Sequence, residues 1–238
     1  MLQNVVVEGH AAEGKSLARQ EGKVIFIENV VPGDVVDVRL TKNKKDWAEG
    51  YPVQFHSFSK ERVDPFCQHF GVCGGCQWQM LPYAKQLEYK QQQVWDNLTR
   101  IGKVALPRML PIIGAAEDKW YRNKLEYTFS TKEFLPAGTF DKEDRERGLR
   151  PVVGFHAKGF FDKVVDIQKC WLQEDITNDI RNSIRGQAFE KGLSFYDIRA
   201  HQGFLRTMQV RLCTTGEVMV NIVVGEEGEK KINHLLQF

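Results

Sequence analysis

With 238 residues, 42% of them hydrophobic and 27% charged, the chain has globular proportions and room for one large domain or two small ones. It has no apolar segment of bilayer length and no basic, apolar leader, so a soluble protein of a reducing cytoplasm is expected and disulfides are the weaker use for its cysteines. A formal net charge of +2 excludes reading nucleic-acid binding from charge alone, and any such reading must rest on where the charges lie.

Residues 1–60 read as short strands. Apolar runs at Val5 to Val7, Val24 to Ile27 and Val35 to Leu40, with a looser one from Trp47 to Phe55, are separated by Glu13-Gly14, Glu21-Gly22 and Pro32-Gly33-Asp34. About five strands in about 60 residues predict a small OB-like β-barrel, a scaffold often used for nucleic acid. The basic run Arg39, Lys42, Lys44 and Lys45 falls on or just after one strand, beside Trp47. Over residues 1–60, however, eight Lys or Arg are matched by eight acids. Lys44 and Lys45 are therefore candidate contacts, and a solvated loop explains them equally well.

A polar stretch from Ser57 to Asp64 leads to Cys67-Gln-His-Phe-Gly-Val-Cys73-Gly-Gly-Cys76-Gln-Trp-Gln79. Cysteines this close together around Gly74-Gly75 point to thiolates converging on a metal, because glycine lets backbone N–H groups approach and stabilise charged sulfur. Three ligands leave a site one short. Cys170, at the end of an apparent strand, and Cys213, in the turn Cys213-Thr-Thr-Gly216, are the two candidates for the fourth. Ligand counting alone leaves both zinc and an iron-sulfur cluster open.

Beyond Pro82, apolar residues at Leu87, Val94, Leu98 and Ile101 predict a helix that Gly102 stops, with Lys85, Lys90, Gln91 and Gln92 on an outer, solvated face. Alternation of Leu125, Tyr127 and Phe129 predicts a half-buried strand, placing Arg122-Asn123-Lys124 at its entrance. Such a triplet can hold a phosphate or a base edge, although an ordinary surface explains it too. Residues 132–150 look like a mobile loop. A hairpin over Val152 to His156 and Phe160 to Ile167 follows, then an amphipathic helix marked by Ile176, Ile180 and Ile184, with Arg181 and Arg185 on its exposed side. The last hairpin pairs Phe204 to Leu212 with Glu217 to Val224. Arg181, Arg185, Lys191, Arg199, Arg206 and Arg211 face only Glu190 and Asp197 in their stretch and form a candidate basic face. Without regular strand-helix alternation, residues 61–238 read as an α+β domain that opens with the cysteine loop, 61–80.

The order barrel, Cys67-x5-Cys73-Gly-Gly-Cys76-x2-Gln79, helix, Tyr121-Arg-Asn-Lys124 and then Cys170 resembles the RNA 5-methyluridine methyltransferases that modify ribosomal and transfer RNA. The resemblance covers essentially the whole chain, and its barrel is similar to the TRAM domain of that family. It implies a four-iron four-sulfur (4Fe-4S) cluster on Cys67, Cys73, Cys76 and Cys170. It also implies a grip on structured RNA, 23S ribosomal RNA above all, with Gln79, Arg122, Asn123, Lys124, Lys44 and Lys45 as the contacts and Arg122 near the target nucleotide. Family chemistry adds a cysteine thiolate to uracil C6, transfers a methyl group from S-adenosyl-L-methionine to C5 and removes the C5 proton with a carboxylate. None of those parts is recognisable here: no glycine-rich strand-to-helix loop is present, and Cys213 reads as a plain turn cysteine. The catalytic Rossmann-like domain is therefore expected elsewhere, and this chain alone is expected to be inactive. A free-standing RNA-binding module with a structural four-cysteine metal site is the competing expectation.

Overall fold

In a computed structural model of the chain, residues 1–136 and 150–225 are described. The expected loop at 132–150 lies mostly outside them. The chain divides into two compact units, Met1–Phe66 with Cys76–Ala116, and Cys67–Gly75 with the described residues from Glu117 onward. No described helix is long and apolar enough to cross a membrane.

The first unit holds β1 (Leu2–Val6), β2 (Gly9–His10), β3 (Ser16–Gln20), β4 (Lys23–Ile27), β5 (Val35–Asn43) and β6 (Trp47–Ser57). Their order in the sheet is β1-β5-β6-β4-β3-β2. Because β1 pairs with β5 while β2, a few residues on, pairs with β3, the one stretch from Leu2 to His10 joins both ends of the sheet and closes it into a barrel. Counting β1 and β2 as halves of one bent strand recovers the five strands expected. Glu21 (φ 51°) and Gly22 (φ 78°) make the two-residue turn between β3 and β4, the left-handed pair a tight hairpin needs. Val5, Val7, Ala18, Ile25, Ile27, Val30, Val36, Val38 and Ala48 fill the interior. Strand β3 shows no apolar run because its inward residues are Ser16 and Ala18; the Ser16 hydroxyl is satisfied by the Val30 carbonyl at 2.7 Å.

Below the barrel, Asp34 is fully buried and receives hydrogen bonds from the Val31 and Ser59 amides (2.8 and 2.9 Å) and from Arg62 Nη2 (2.8 Å). The Arg62 guanidinium also lies over the rings of Phe55 and Phe58, at 5.0 and 5.3 Å. Helix α1 (Tyr83–Asp96) begins after Pro82 and runs through one wider turn, Asn97–Ile101, to Gly102. Its buried side chain is Tyr89, stacked on His10 at 4.4 Å and edge-on to Trp78, with its hydroxyl donating to Glu61 at 2.7 Å. Burial, with the Glu61 carboxylate beside it, pushes the Tyr89 phenol well above its ordinary pKa. The expected aliphatic stripe is not the buried face: Val94, Leu98 and Ile101 are exposed. Lys85 pairs with Glu61 at 2.8 Å and Gln91 Oε1 accepts from the Ile112 amide at 2.8 Å, so the supposed outer face makes contacts inside the unit. One aromatic ring stacked flat on another outweighs a scattered aliphatic row.

The second unit is built on an antiparallel sheet of β7 (Lys124–Ser130), β8 (Val152–His156), β9 (Val164–Asp166), β10 (Leu205–Leu212) and β11 (Val218–Val224), in the order β11-β10-β7-β8-β9. Leu125, Tyr127 and Phe129 are its buried row from β7, as their alternation predicts, and Phe129 meets Phe195 edge-on at 5.2 Å. Helix α2 (Asp175–Glu190) completes an α+β unit. Its orientation differs from the expectation. Thr177, Asn178, Arg181 and Ala188 are buried, whereas Ile176 is 44% exposed. Arg181 can go inward because its guanidinium finds acceptors and lies over the Tyr127 ring at 5.1 Å. The expected basic face is thereby broken up: Arg181 is buried, Arg185 pairs with Asp166 at 2.7 Å, and Arg199 pairs with Asp162 at 2.6 Å.

Candidate metal loop and nucleic-acid interface

The segment Cys67–Gly75 folds as consecutive tight turns. The Phe70 amide donates to the Cys67 carbonyl (3.0 Å), and the Cys73 amide donates to the His69 carbonyl (2.9 Å). Gly71 takes φ 85° between them. The loop lies against the turn after β8: the Gly74 amide donates to the His156 carbonyl (3.1 Å), and the Lys158 amide donates to Val72 (3.3 Å). A side chain at Gly74 would sit 3.0 Å from that His156 oxygen, so the close approach favours glycine. The Gly75 N–H points at Cys73 Sγ at 3.4 Å, the kind of donor that favours a thiolate.

Cys170 belongs to the same unit and is 7% exposed. Asn178, in the first half of α2, clamps it: the side-chain oxygen accepts from the Cys170 amide (2.8 Å), and Nδ2 donates to the Cys170 carbonyl (3.1 Å). Arg181 in turn donates from Nη1 to Asn178 Oδ1 (2.9 Å) and from Nη2 to the Gln168 carbonyl. The Gln168 amide donates to His69 Nε2 (3.2 Å), joining the Cys170 segment to the cysteine loop. Burial holds the His69 imidazole below its ordinary pKa, consistent with a neutral ring accepting at Nε2. His69 and Asn178 escaped the sequence reading, and Arg181 was expected on the exposed side of its helix; their signal is slight, a histidine between two cysteines and polar residues on the inner side of a helix.

No disulfide joins any of the five cysteines. Cys67 and Cys73 share a unit with Cys170, and Cys76 is the next residue after the Gly74-Gly75 pair. Among the described residues, no three or more His, Cys, Asp or Glu side chains are gathered as a group able to hold a metal ion. Within the second unit, Cys67, Cys73 and Cys170 lie on segments fixed by backbone bonds and one amide is aimed at a sulfur, donor chemistry of the kind a thiolate-bound metal group would use. Cys213 is exposed in the tight turn between β10 and β11, where its amide donates to the Glu217 carbonyl at 2.9 Å.

The candidate RNA contacts are divided between the units. Lys44 and Lys45 are exposed at the tip of the β5–β6 hairpin, Lys42 nearby pairs with Glu49 at 2.8 Å, and Gln79 is half-buried after the cysteine loop in the same unit. In the other unit, Arg122, Asn123 and Lys124 are exposed at the start of β7. Their backbone is held on both sides, the Arg122 amide donating to Leu172 (2.8 Å) and the Asn123 carbonyl accepting from Leu212 (2.9 Å). Just before them, Trp120 (φ 53°) donates its amide to the Trp171 carbonyl at 2.9 Å. A left-handed backbone at a bulky residue costs about 1–3 kcal/mol and tends to mark functional positions.

Residues 2–53 match the TRAM domain family. The N-terminal barrel is a TRAM domain. Beyond it, the chain is homologous over nearly its whole length to proteins named as RNA methyltransferases. An uncharacterized RNA methyltransferase of Bacteroides thetaiotaomicron is 49% identical over 231 residues, 96% of this chain and 51% of the relative. Another, of Porphyromonas gingivalis, is 42% identical over 217 residues, 90% of this chain and 47% of the relative. The crystal structure of Pyrococcus abyssi tRNA (uracil-54, C5)-methyltransferase with S-adenosyl-L-homocysteine superposes with a TM-score of 0.66 at 23% identity, covering 100% of this chain and 49% of that one. That likeness is one of fold. The chain spans about half the length of the curated relatives it matches.

Proposed function

We propose that this chain is the RNA-recognition part of an S-adenosyl-L-methionine-dependent RNA uracil-5-methyltransferase whose substrate is ribosomal RNA, 23S in particular. The observation that carries it is 49% identity across 96% of the chain to an RNA methyltransferase, on a chain that begins with a TRAM domain. The solved enzyme of the same fold, named for C5 of uracil and holding S-adenosyl-L-homocysteine, supports the choice of atom and methyl donor.

In this reading Cys67, Cys73, Cys76 and Cys170 hold a 4Fe-4S cluster, which when bound supplies a rigid thiolate-anchored brace. Methyl transfer to C5 itself moves no electrons through it. Asn178 and Arg181 fix the Cys170 backbone for that purpose. Lys44, Lys45, Lys124 and Arg122 meet phosphates, while Asn123 and Gln79 offer amides to base edges. The thiolate nucleophile, the base and the methyl-donor site are assigned to the other half of a longer protein, and the 238-residue chain binds RNA without methylating it.

The test supplies labelled S-adenosyl-L-methionine and, in separate reactions, ribosomal and transfer RNA to the longer protein and to the 238-residue chain. The longer protein should yield 5-methyluridine in ribosomal RNA, and the chain alone none. Methylation at another atom, or 5-methyluridine made by the chain alone, overturns the reading; 5-methyluridine confined to transfer RNA overturns the choice of substrate.

A further inference from the structure

We propose that Trp120 and Tyr121 form a stacking platform for unpaired RNA bases, supported by Trp171 and edged by the cations Lys119 and Lys169. The platform rests on the proposed RNA-recognition role and narrows it, since it assigns the bound element to a single-stranded loop or bulge within structured RNA. Trp120 is 45% exposed and Tyr121 58%, an unusual pair of large rings to leave in water immediately before the candidate contact Arg122. They are not a loose tip. Alternate amides of this segment, Trp120 and Arg122, donate to the carbonyls of Trp171 and Leu172 at 2.9 and 2.8 Å, and the Trp120 and Trp171 rings lie 6.2 Å apart. Trp120 keeps a left-handed backbone (φ 53°) in this arrangement, so the ring is presented against local preference.

The charge around the rings selects the occupant. Lys169 Nζ stands 4.2 Å from the centre of the Trp171 ring and Lys119 Nζ 5.4 Å, so both ammonium groups border the aromatic surface. Lys169 also meets Asp175 at 3.0 Å. Rings for bases and cations for phosphates are the two elements that single-stranded nucleic acid needs, whereas a perfect duplex hides its base faces. Trp171 follows Cys170, so the segment that carries a proposed cluster ligand also carries the support of the platform.

The experiment titrates the 238-residue chain into fluorescein-labelled RNA, a hairpin with a uridine-containing loop and a fully paired duplex of equal length, and reads anisotropy at several salt concentrations. Trp120→Ala and Tyr121→Ala should each weaken hairpin binding by about tenfold or more while leaving duplex binding unchanged, and Trp120→Phe should retain most of the affinity. Lys119→Ala should lower the salt slope by about 0.7, one phosphate of a single strand. Melting curves of the variants confirm that they fold, and Tyr121→Ala provides a second reading if Trp120→Ala does not. Unchanged hairpin affinity in both alanine variants, with the wild type still binding RNA, overturns the platform and spares the RNA-recognition role. Failure of the wild type to bind either RNA overturns both. A shift from dimer to monomer on Trp120→Ala with unchanged RNA affinity assigns the rings to a second copy of the chain and also overturns the platform.

Discussion

Inside the TRAM barrel the buried side chains are nearly all small aliphatics, Val5, Val7, Ile25, Ile27, Val36 and Val38 among them, and a fully buried acid, Asp34, ties the following loop beneath it. In the sheet unit Arg181 and Gln173 are as deeply buried as Phe204 or Met208, and they hold backbone rather than fill space. Gln173 reaches the Val210 carbonyl at 3.2 Å, while Arg181 and Asn178 hold the stretch from Gln168 to Cys170. An apolar interior specifies a shape that many sequences could fill. A polar brace specifies where one backbone segment must lie, which is what a ligand-bearing loop requires.

Breaking each kind of support should separate them. Asp34→Ala leaves Arg62 facing a lost partner in a buried site, and urea denaturation should show a loss of about 3–5 kcal/mol. Ile25→Ala, a cavity in the barrel, should cost about 2–4 kcal/mol with hydrogen exchange around Cys170 unchanged. Arg181→Ala should cost about 2 kcal/mol, and here hydrogen exchange at the Cys170 and Trp171 amides should quicken well before that of the central strands. Equal protection at those amides in the variant would remove the distinction between the two regions. Truncating Leu98, on the exposed stripe of α1, should change stability by less than about 0.5 kcal/mol, whereas Tyr89→Phe, which loses the bond to Glu61, should cost about 1 kcal/mol.

The smallest effect is one of pH. The Ala200 and Arg199 amides, with Lys132 beside them, lower the Asp197 pKa from 3.8 to about 2. A lowered folded-state value adds stability above the ordinary pKa and loses it as pH falls through the folded one, so the window is about pH 4 down to about pH 2. Melting temperatures should fall less steeply across that window in Asp197→Asn than in the wild type. Parallel curves would show that Asp197 contributes nothing there.

The same contrast explains what could be read from the sequence. Barrel strands announce themselves through valine and isoleucine runs, and Glu21-Gly22 announces its hairpin because few residues tolerate φ > 0 twice in succession. Leu125, Tyr127 and Phe129 did likewise for β7. The inner face of α2 was misread because Ile176, Ile180 and Ile184 mark a stripe by hydropathy, while burial was decided by acceptors that Arg181 finds far away in sequence at Gln168. Tyr89 was missed in the same way: its partner His10 is distant, and periodicity within one helix carries no record of it. At the candidate site, Cys67, Cys73, Cys76 and Cys170 stood out by spacing and resemblance, but the clamp on Cys170 did not, because it depends on a turn of helix after the cysteine rather than on the motif.

Iron and acid-labile sulfide per chain, measured after anaerobic purification, bear most directly on the claim that the polar-braced loop is built around a cluster. The account predicts about four of each in the wild type and in Cys213→Ala, and their loss in Cys170→Ala. Zinc in place of iron, or a full complement retained by Cys170→Ala and lost by Cys213→Ala, would contradict it.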